Sequence, residues 1–209
     1  FIVGFLLLST GATPGWAQFE EMIARIPREA NAMVLVNGDK VFASPLAKAE
    51  DWKANRQKMF DAGLAFLPPN ADSGLMASHI DFEFMLPLWE LAIFQSSMDV
   101  TAEGIQEKIG GKLDKINGLS VVAARGDAYV VVMNSRLVSL FVPQNRQLVS
   151  RWIRDYYAAK TTAVSPYLKE AYGFAQDNGT PIILALDLEG MVTEDGVTKA
   201  LLKSELTKK

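Results

Sequence analysis

The chain has 209 residues, 49% of them apolar, enough for one sizeable core. Its net charge of −3, with both signs interspersed, offers no basic field to collect phosphate backbones, so nucleic acid is not an expected partner. The absence of cysteine excludes disulfides, thiolate nucleophiles, cysteine-based zinc or iron–sulfur sites and a lipid-bearing lipobox.

Residues 1–17 carry no charge, and their apolar run stops at Gly11, Pro14 and Gly15. The run is shorter than the ~20 residues a helix needs to cross a bilayer. With small residues at Gly15 and Ala17, it reads as a secretory signal peptide cleaved between Ala17 and Gln18. A buried N-terminal helix or strand is the competing reading. Neither an initiator Met nor a basic leader precedes it, so the chain is expected to be part of a longer product. An exported protein without cysteine suits a bacterial periplasm. Alternatively, residues 1–17 belong to an uncleaved anchor, and the rest is the periplasmic part of a membrane protein.

Phe19, Met22, Ile23 and Ile26 recur at helical spacing before Pro27, predicting a short docking helix. Ala32 to Val36 is a continuous apolar run, expected as a strand buried on both faces, and Asn37-Gly38-Asp39 ends it with turn chemistry. Ser44-Pro45 then opens a helix to about Ala62, with Leu46, Ala49, Trp52, Met59 and Phe60 expected toward the core. Pro68 to Gly74 reads as a loop. Extended segments follow over about Leu75 to Phe84 and Leu88 to Gln95.

Thr101 is a cap for a helix over Ala102 to Ile109, closed by Gly110-Gly111, and Asn117-Gly118 is a hairpin turn. From Leu119 to Val142 the sequence predicts three hairpin-joined strands, at 119–125, 127–133 and 136–142. An amphipathic helix opens near Gln144, with Leu148, Val149, Trp152, Ile153 and Tyr156 on one stripe. Ser165-Pro166 starts another helix, ended by Asn178-Gly179, and Pro181 to Leu186 is an apolar strand. Val197 to Leu202 begins a last helix. The expected fold class is α+β, a largely antiparallel sheet covered by amphipathic helices. Its domain spans residues 18–179. Because the run at 181–186 resembles that at 32–36, with a helix to follow each, a second, related module is expected to start near Thr180 and to be cut off at residue 209.

Chemistry is thin. His79 is the lone histidine, and no Gly-x-Ser-x-Gly elbow accompanies it. His79, Asp81 and Glu83 alternate, so on a strand they share a face where an imidazole and two carboxylates can converge on a divalent metal. The bland reading, a solvated strand face with Ile80, Phe82 and Phe84 inward, is preferred because strand residues two apart sit ~7 Å from each other. Asp187, Glu189, Glu194 and Asp195 lack EF-hand spacing, and helix N-terminal charges explain the last two. Gly110-Gly111-Lys112 has no phosphate-loop spacing. Arg146, Arg151 and Arg154 are an anion site or, more simply, a solvated helix face. Trp52, Trp89 and Trp152 are pocket walls or core, with core favoured. Asn178-Gly179-Thr180 is a formal glycosylation acceptor whose turn role suffices. No catalytic residue and no cofactor are expected.

Pro27-Arg28-Glu29-Ala30-Asn31-Ala32, Ser44-Pro45-Leu46-Ala47-Lys48 with Trp52, Leu88-Trp89-Glu90, and Asn145-Arg146-Gln147 with Arg151-Trp152 together resemble a family of uncharacterised exported proteins from planctomycete bacteria. The resemblance implies export and carries no assigned activity. The favoured expectation is an exported, non-enzymatic binding or envelope-assembly domain whose partner is an envelope protein or a small ligand. A metal-assisted hydrolase using His79, Asp81 and Glu83 is the rival.

Overall fold

The computed structural model describes residues 14–62, 68–84 and 86–189. The element order is α1 (Pro14–Ile23), β1 (Ala32–Asn37), α2 (Gly38–Ala43), α3 (Pro45–Ala49), α4 (Trp52–Asp61), β2 (Ala71–Asp81), β3 (Leu86–Ser96), α5 (Ala102–Ile109), β4 (Lys112–Ile116), β5 (Leu119–Ala123), β6 (Tyr129–Val132), β7 (Leu137–Val142), α6 (Arg146–Asp155), α7 (Pro166–Asn178) and β8 (Ile182–Leu186). The strands form one 8-stranded sheet in the order β4-β5-β6-β7-β3-β2-β1-β8. Every neighbouring pair is antiparallel. The fold is α+β.

Strand alternation sorts the side chains into two faces. On one, Ile183, Leu35, Leu75, Ile93, Ser139, Val131 and Val121 form a cross-strand row. Helices α1, α6 and α7 cover it with Phe19, Met22, Ile23, Val149, Trp152, Ile153 and Leu168, all buried. The Trp152 ring lies 5.0 Å from that of Phe141, and its indole N–H donates to the Arg25 carbonyl at 2.9 Å. Truncating such a side chain to Ala costs ~3–5 kcal/mol. On the opposite face runs a row of Leu184, Val34, Met76, Ala92, Leu140, Val130, Val122 and Leu113. Helix α2 covers part of this face through Val41, against Val36 and Phe94. Helix α5 covers another part through Ala102 and Ile105, against Val122 and Val130.

Local chemistry sets the element ends. Thr101, Asn145 and Ser165 accept from backbone N–H groups of the first turns of α5, α6 and α7. Asn117 and Gly118 both take positive φ, 50° and 86°, the pair of left-handed residues a tight hairpin between β4 and β5 requires.

Several expectations need correction. The helix expected over residues 45–62 is two helices, because Asp51 takes φ 51° and breaks the ladder after Glu50. Within α3 the buried residue is Ala47, and Leu46, expected toward the core, is 59% exposed. Asn37 ends β1 by capping α2, its carboxamide oxygen accepting from the Lys40 N–H at 3.1 Å. The loop expected through Gly74 gives way to β2 at Ala71, since Ser73 and Gly74 pair with Asn37 and Val36 of β1. Strand β4, with alternating charges, was not expected. Residues 182–186, expected to open a second module, pair along β1 as β8 and belong to the same sheet. The helix expected from Val197, and the rest of the proposed module from residue 190 onward, lie outside the described residues. So does the proposed signal peptide up to residue 13, and α1 runs across the proposed cleavage point. The described core begins at Phe19, which is fully buried.

Candidate functional site

The metal candidates come from the β2–β3 hairpin, and the hairpin explains why they do not converge. Between His79 and Ile80 the register against β3 shifts, with Trp89 and then Pro87 as partners, so Leu88 is an extra residue. Strand β2 ends at Asp81, which leaves Glu83 in the turn rather than on the strand face. The Asp81 carboxylate is used locally, accepting from the N–H groups of Glu83 at 2.9 Å and Phe84 at 3.3 Å. The His79 ring meets Trp89 edge-on, with centroids 6.4 Å apart. Among the described residues no group of three or more histidines and carboxylates can hold a metal ion. The expected inward side chains also differ, for Phe84 is 66% exposed at the turn and Ile80 is half-buried.

The other sequence candidates resolve into structural roles. Arg146 binds the Asp114 carboxylate and donates to the Lys115 carbonyl, while Arg154 pairs with Asp155. With Gln147, Ser150 and Arg151 they line a groove of about 390 Å³ on the outer side of α6. The hydrogen bond from Arg154, and after it the charges of Arg154 and Arg151, hold the Asp155 carboxyl below the usual carboxylate range. Trp89 and Trp152 belong to the core, joined by tilted ring contacts to Phe141 between them, and Trp52 is half-buried on α4. Asp187 accepts from the Glu189 N–H at 3.0 Å in a local turn, and Glu194 and Asp195 lie outside the described residues. Asn178 returns its amide to the Phe174 carbonyl at the end of α7. Gly110 and Gly111, both at positive φ, join α5 to β4.

What sequence reasoning missed is the β8 edge. The apolar run expected as a strand forms β8, which lies at the end of the sheet order and has β1 as its single partner among the described strands. The Asn37 N–H donates to the Pro181 carbonyl at 2.8 Å and the Asp187 N–H to the Asn31 carbonyl at 2.7 Å. Those two bonds fix the alternation: Pro181, Ile183, Ala185 and Asp187 face β1, so the N–H and C=O groups of Ile182, Leu184 and Leu186 point away from the sheet. The same three side chains are exposed, at 50%, 66% and 39%. Beside them, a cleft of about 300 Å³ opens between β8 and α7, lined by Tyr167, Glu170, Ala171, Phe174, Ile183, Leu184 and Ala185. Tyr167 and Phe174 are themselves largely exposed. Natural edges are usually blunted with charge, proline or a bulge; none interrupts Ile182–Leu186. Chemically, this edge can hydrogen-bond an extended backbone and seat its alternate side chains in the cleft.

No protein-family model matches the chain, and no curated protein matches it. Among solved structures, crystal form IV of TP0453, a Treponema protein, is similar with 9% identity and a TM-score of 0.43, over 71% of this chain and 57% of that one. The chain therefore spans a little over half the length of that protein. Among the described residues no helix is long and apolar enough to cross a membrane.

Proposed function

We propose that the chain is an exported, non-enzymatic binding domain that joins an envelope assembly by adding an extended polypeptide segment to its β8 edge. One observation carries the reading: outward backbone groups without a partner among the described residues, exposed apolar side chains and a cleft of about 300 Å³ against α7 coincide at Ile182–Leu186. Main-chain hydrogen bonds would supply affinity, and the cleft under Tyr167 and Phe174 would select apolar side chains at alternate positions. Export draws its support from the sequence. Residues 1–17 are uncharged, apolar and end in small residues, and the resemblance to exported planctomycete proteins agrees with it.

The test of binding uses dilute protein and a synthetic peptide of alternating valine and threonine, with amide hydrogen exchange as the readout. Exchange at Ile182, Leu184 and Leu186 should be fast without peptide and slow with it, while Ile183 and Ala185, bonded to β1, stay protected throughout. Protection that appears on α6 instead, with the β8 amides unchanged, overturns the reading. Export is checked by N-terminal sequencing of the mature protein from a periplasmic extract. A first residue upstream of Gln18 counts against cleavage there.

A further inference from the structure

Resting on the reading of β8 as a strand-adding edge, we propose that the segment it adds is the β8 strand of a second copy of the same chain. The two strands run antiparallel about a two-fold axis at Leu184. The argument is one of self-complementarity. In an antiparallel ladder, residues whose N–H and C=O groups point outward must meet residues of the same kind. With the axis at Leu184, that residue opposes its own copy, and Ile182 opposes Leu186 on both sides. Every outward N–H and C=O of Ile182, Leu184 and Leu186 is then paired, and no group is left over. Moving the axis to Ile183 or Ala185 pairs fewer strand residues and brings in Thr180 or Leu188 from beyond the ends of β8. Moving it by half a step sets outward groups against inward ones and makes no ladder.

Side chains and charges agree with the same register. On the exposed face Ile182, Leu184 and Leu186 meet their counterparts as an unbroken apolar patch that continues into Val34 and Met76 of the parent sheet. On the other face Ile183 opposes Ala185, large against small, beside the α7 cleft, where Phe174 at 58% and Tyr167 at 49% exposure are available to the incoming strand. The first acidic residue past the strand, Asp187, faces Pro181, and Glu189 faces Gly179, so the two-fold creates no like-charge pair. A closed, isologous contact of this type gives a dimer rather than an open chain of copies. The sheets of the two copies become one.

The absence of cysteine makes the axis directly testable in the full chain. Cα atoms of a hydrogen-bonded antiparallel pair lie ~5.5 Å apart, within reach of a disulfide. Leu184→Cys should therefore give a covalent dimer on mild oxidation, whereas Ala163→Cys, on the exposed connection before α7, should remain monomeric. Light scattering across a concentration series should show the unmodified chain at twice its 22.9 kDa. Leu184→Lys places a charge on the edge and should return it to a monomer whose melting temperature no longer depends on concentration and matches that of the unmodified chain diluted to its monomer, Leu184 being mostly exposed in the single chain. An unmodified chain that stays monomeric, or a dimer indifferent to Leu184→Lys, overturns the proposal. If the chain is monomeric yet the valine–threonine peptide still protects the β8 amides, the edge reading stands and the second copy is wrong. If the peptide also fails, both fall.

Discussion

Replacing Asn31 tests how the β2 bulge is held. Asn31 is buried, and its carboxamide acts as one more rung of the sheet: the oxygen accepts from the Ile80 N–H and the amide donates to the Ile80 carbonyl, both at 2.8 Å. The main chain of the same residue accepts from Asp187 and donates to Ser78. Asn31→Ala leaves both backbone groups of Ile80 without a partner. An orphaned buried group costs ~1–3 kcal/mol, which bounds the loss at roughly 2–6 kcal/mol for the two. Ile80 is half-buried, so water recovers part of this and about 2–3 kcal/mol is expected. For a chain of this size that lowers the melting temperature by roughly 4–12 °C. Urea unfolding followed by tryptophan fluorescence measures it. Asn31→Asp separates bonding from packing. The carboxylate still accepts from the Ile80 N–H but sets a like-signed oxygen against the Ile80 carbonyl, so burial and repulsion raise its folded pKa above the unfolded ~3.9. Its stability is full below the unfolded pKa and is lost as pH rises through the folded one. A loss under ~0.5 kcal/mol for Asn31→Ala, or an acid-insensitive Asn31→Asp, refutes the pseudo-rung.

Three further outcomes follow from buried and half-buried groups. Ser139 is fully buried on β7 with no partner for its hydroxyl among the described residues, so Ser139→Ala should raise stability by ~1 kcal/mol, and a lower melting temperature would contradict this. Burial, and after it the nearby Asp39, raises the Asp72 carboxyl while Arg56 and Arg136 oppose them, so folding favours its neutral form. The contribution is therefore full in acid and lost as pH rises through the folded pKa; Asp72→Asn should stabilise at neutral pH, and a gain that persists undiminished in strong acid refutes the assignment. Burial, assisted by Glu20, pushes the Tyr172 phenol up to about 12, so its contribution holds below the unfolded ~10 and is lost as pH rises through about 12. Ultraviolet titration should resolve one late tyrosinate, moved earlier by Glu20→Gln, and tyrosines that titrate together near ~10 refute it.

Much of the architecture was legible because several segments state their structure locally. Thr101, Ser165-Pro166 and Asn117-Gly118 satisfy or redirect backbone groups within a few residues, and each does so where the sequence places it. The stripe on α6 was equally plain, with Val149, Trp152 and Ile153 on the buried side. The errors arise where distant strands decide. Ser73 and Gly74 are turn-formers by preference, and pairing with Asn37 and Val36 on one side and Gln95 and Phe94 on the other makes them strand. Lys112–Ile116 has charge at three of its five positions, Lys112, Asp114 and Lys115, which suits an outermost strand and erases the apolar signal that would announce one. Asp51 breaks a helix with a positive φ that its residue type tolerates but does not require.

The candidate site was illegible for the same physical reason, carried further. His79, Asp81 and Glu83 have the spacing of a shared strand face, but a shared face requires the strand to continue, and the turn after Asp81 prevents that. Conversely, Ile182-Ile183-Leu184-Ala185-Leu186 has the composition of a strand covered on both sides, as β1 is. Composition reports how apolar a strand is and not its rank in the sheet. That rank is set by β2 and β8 competing for the two sides of β1, more than a hundred residues from β8 along the chain. An apolar strand at a sheet edge thus has two explanations in sequence, a hidden neighbour or a neighbour on another molecule, and the two-fold register proposed at Leu184 states the second as a contact that a single charge would break.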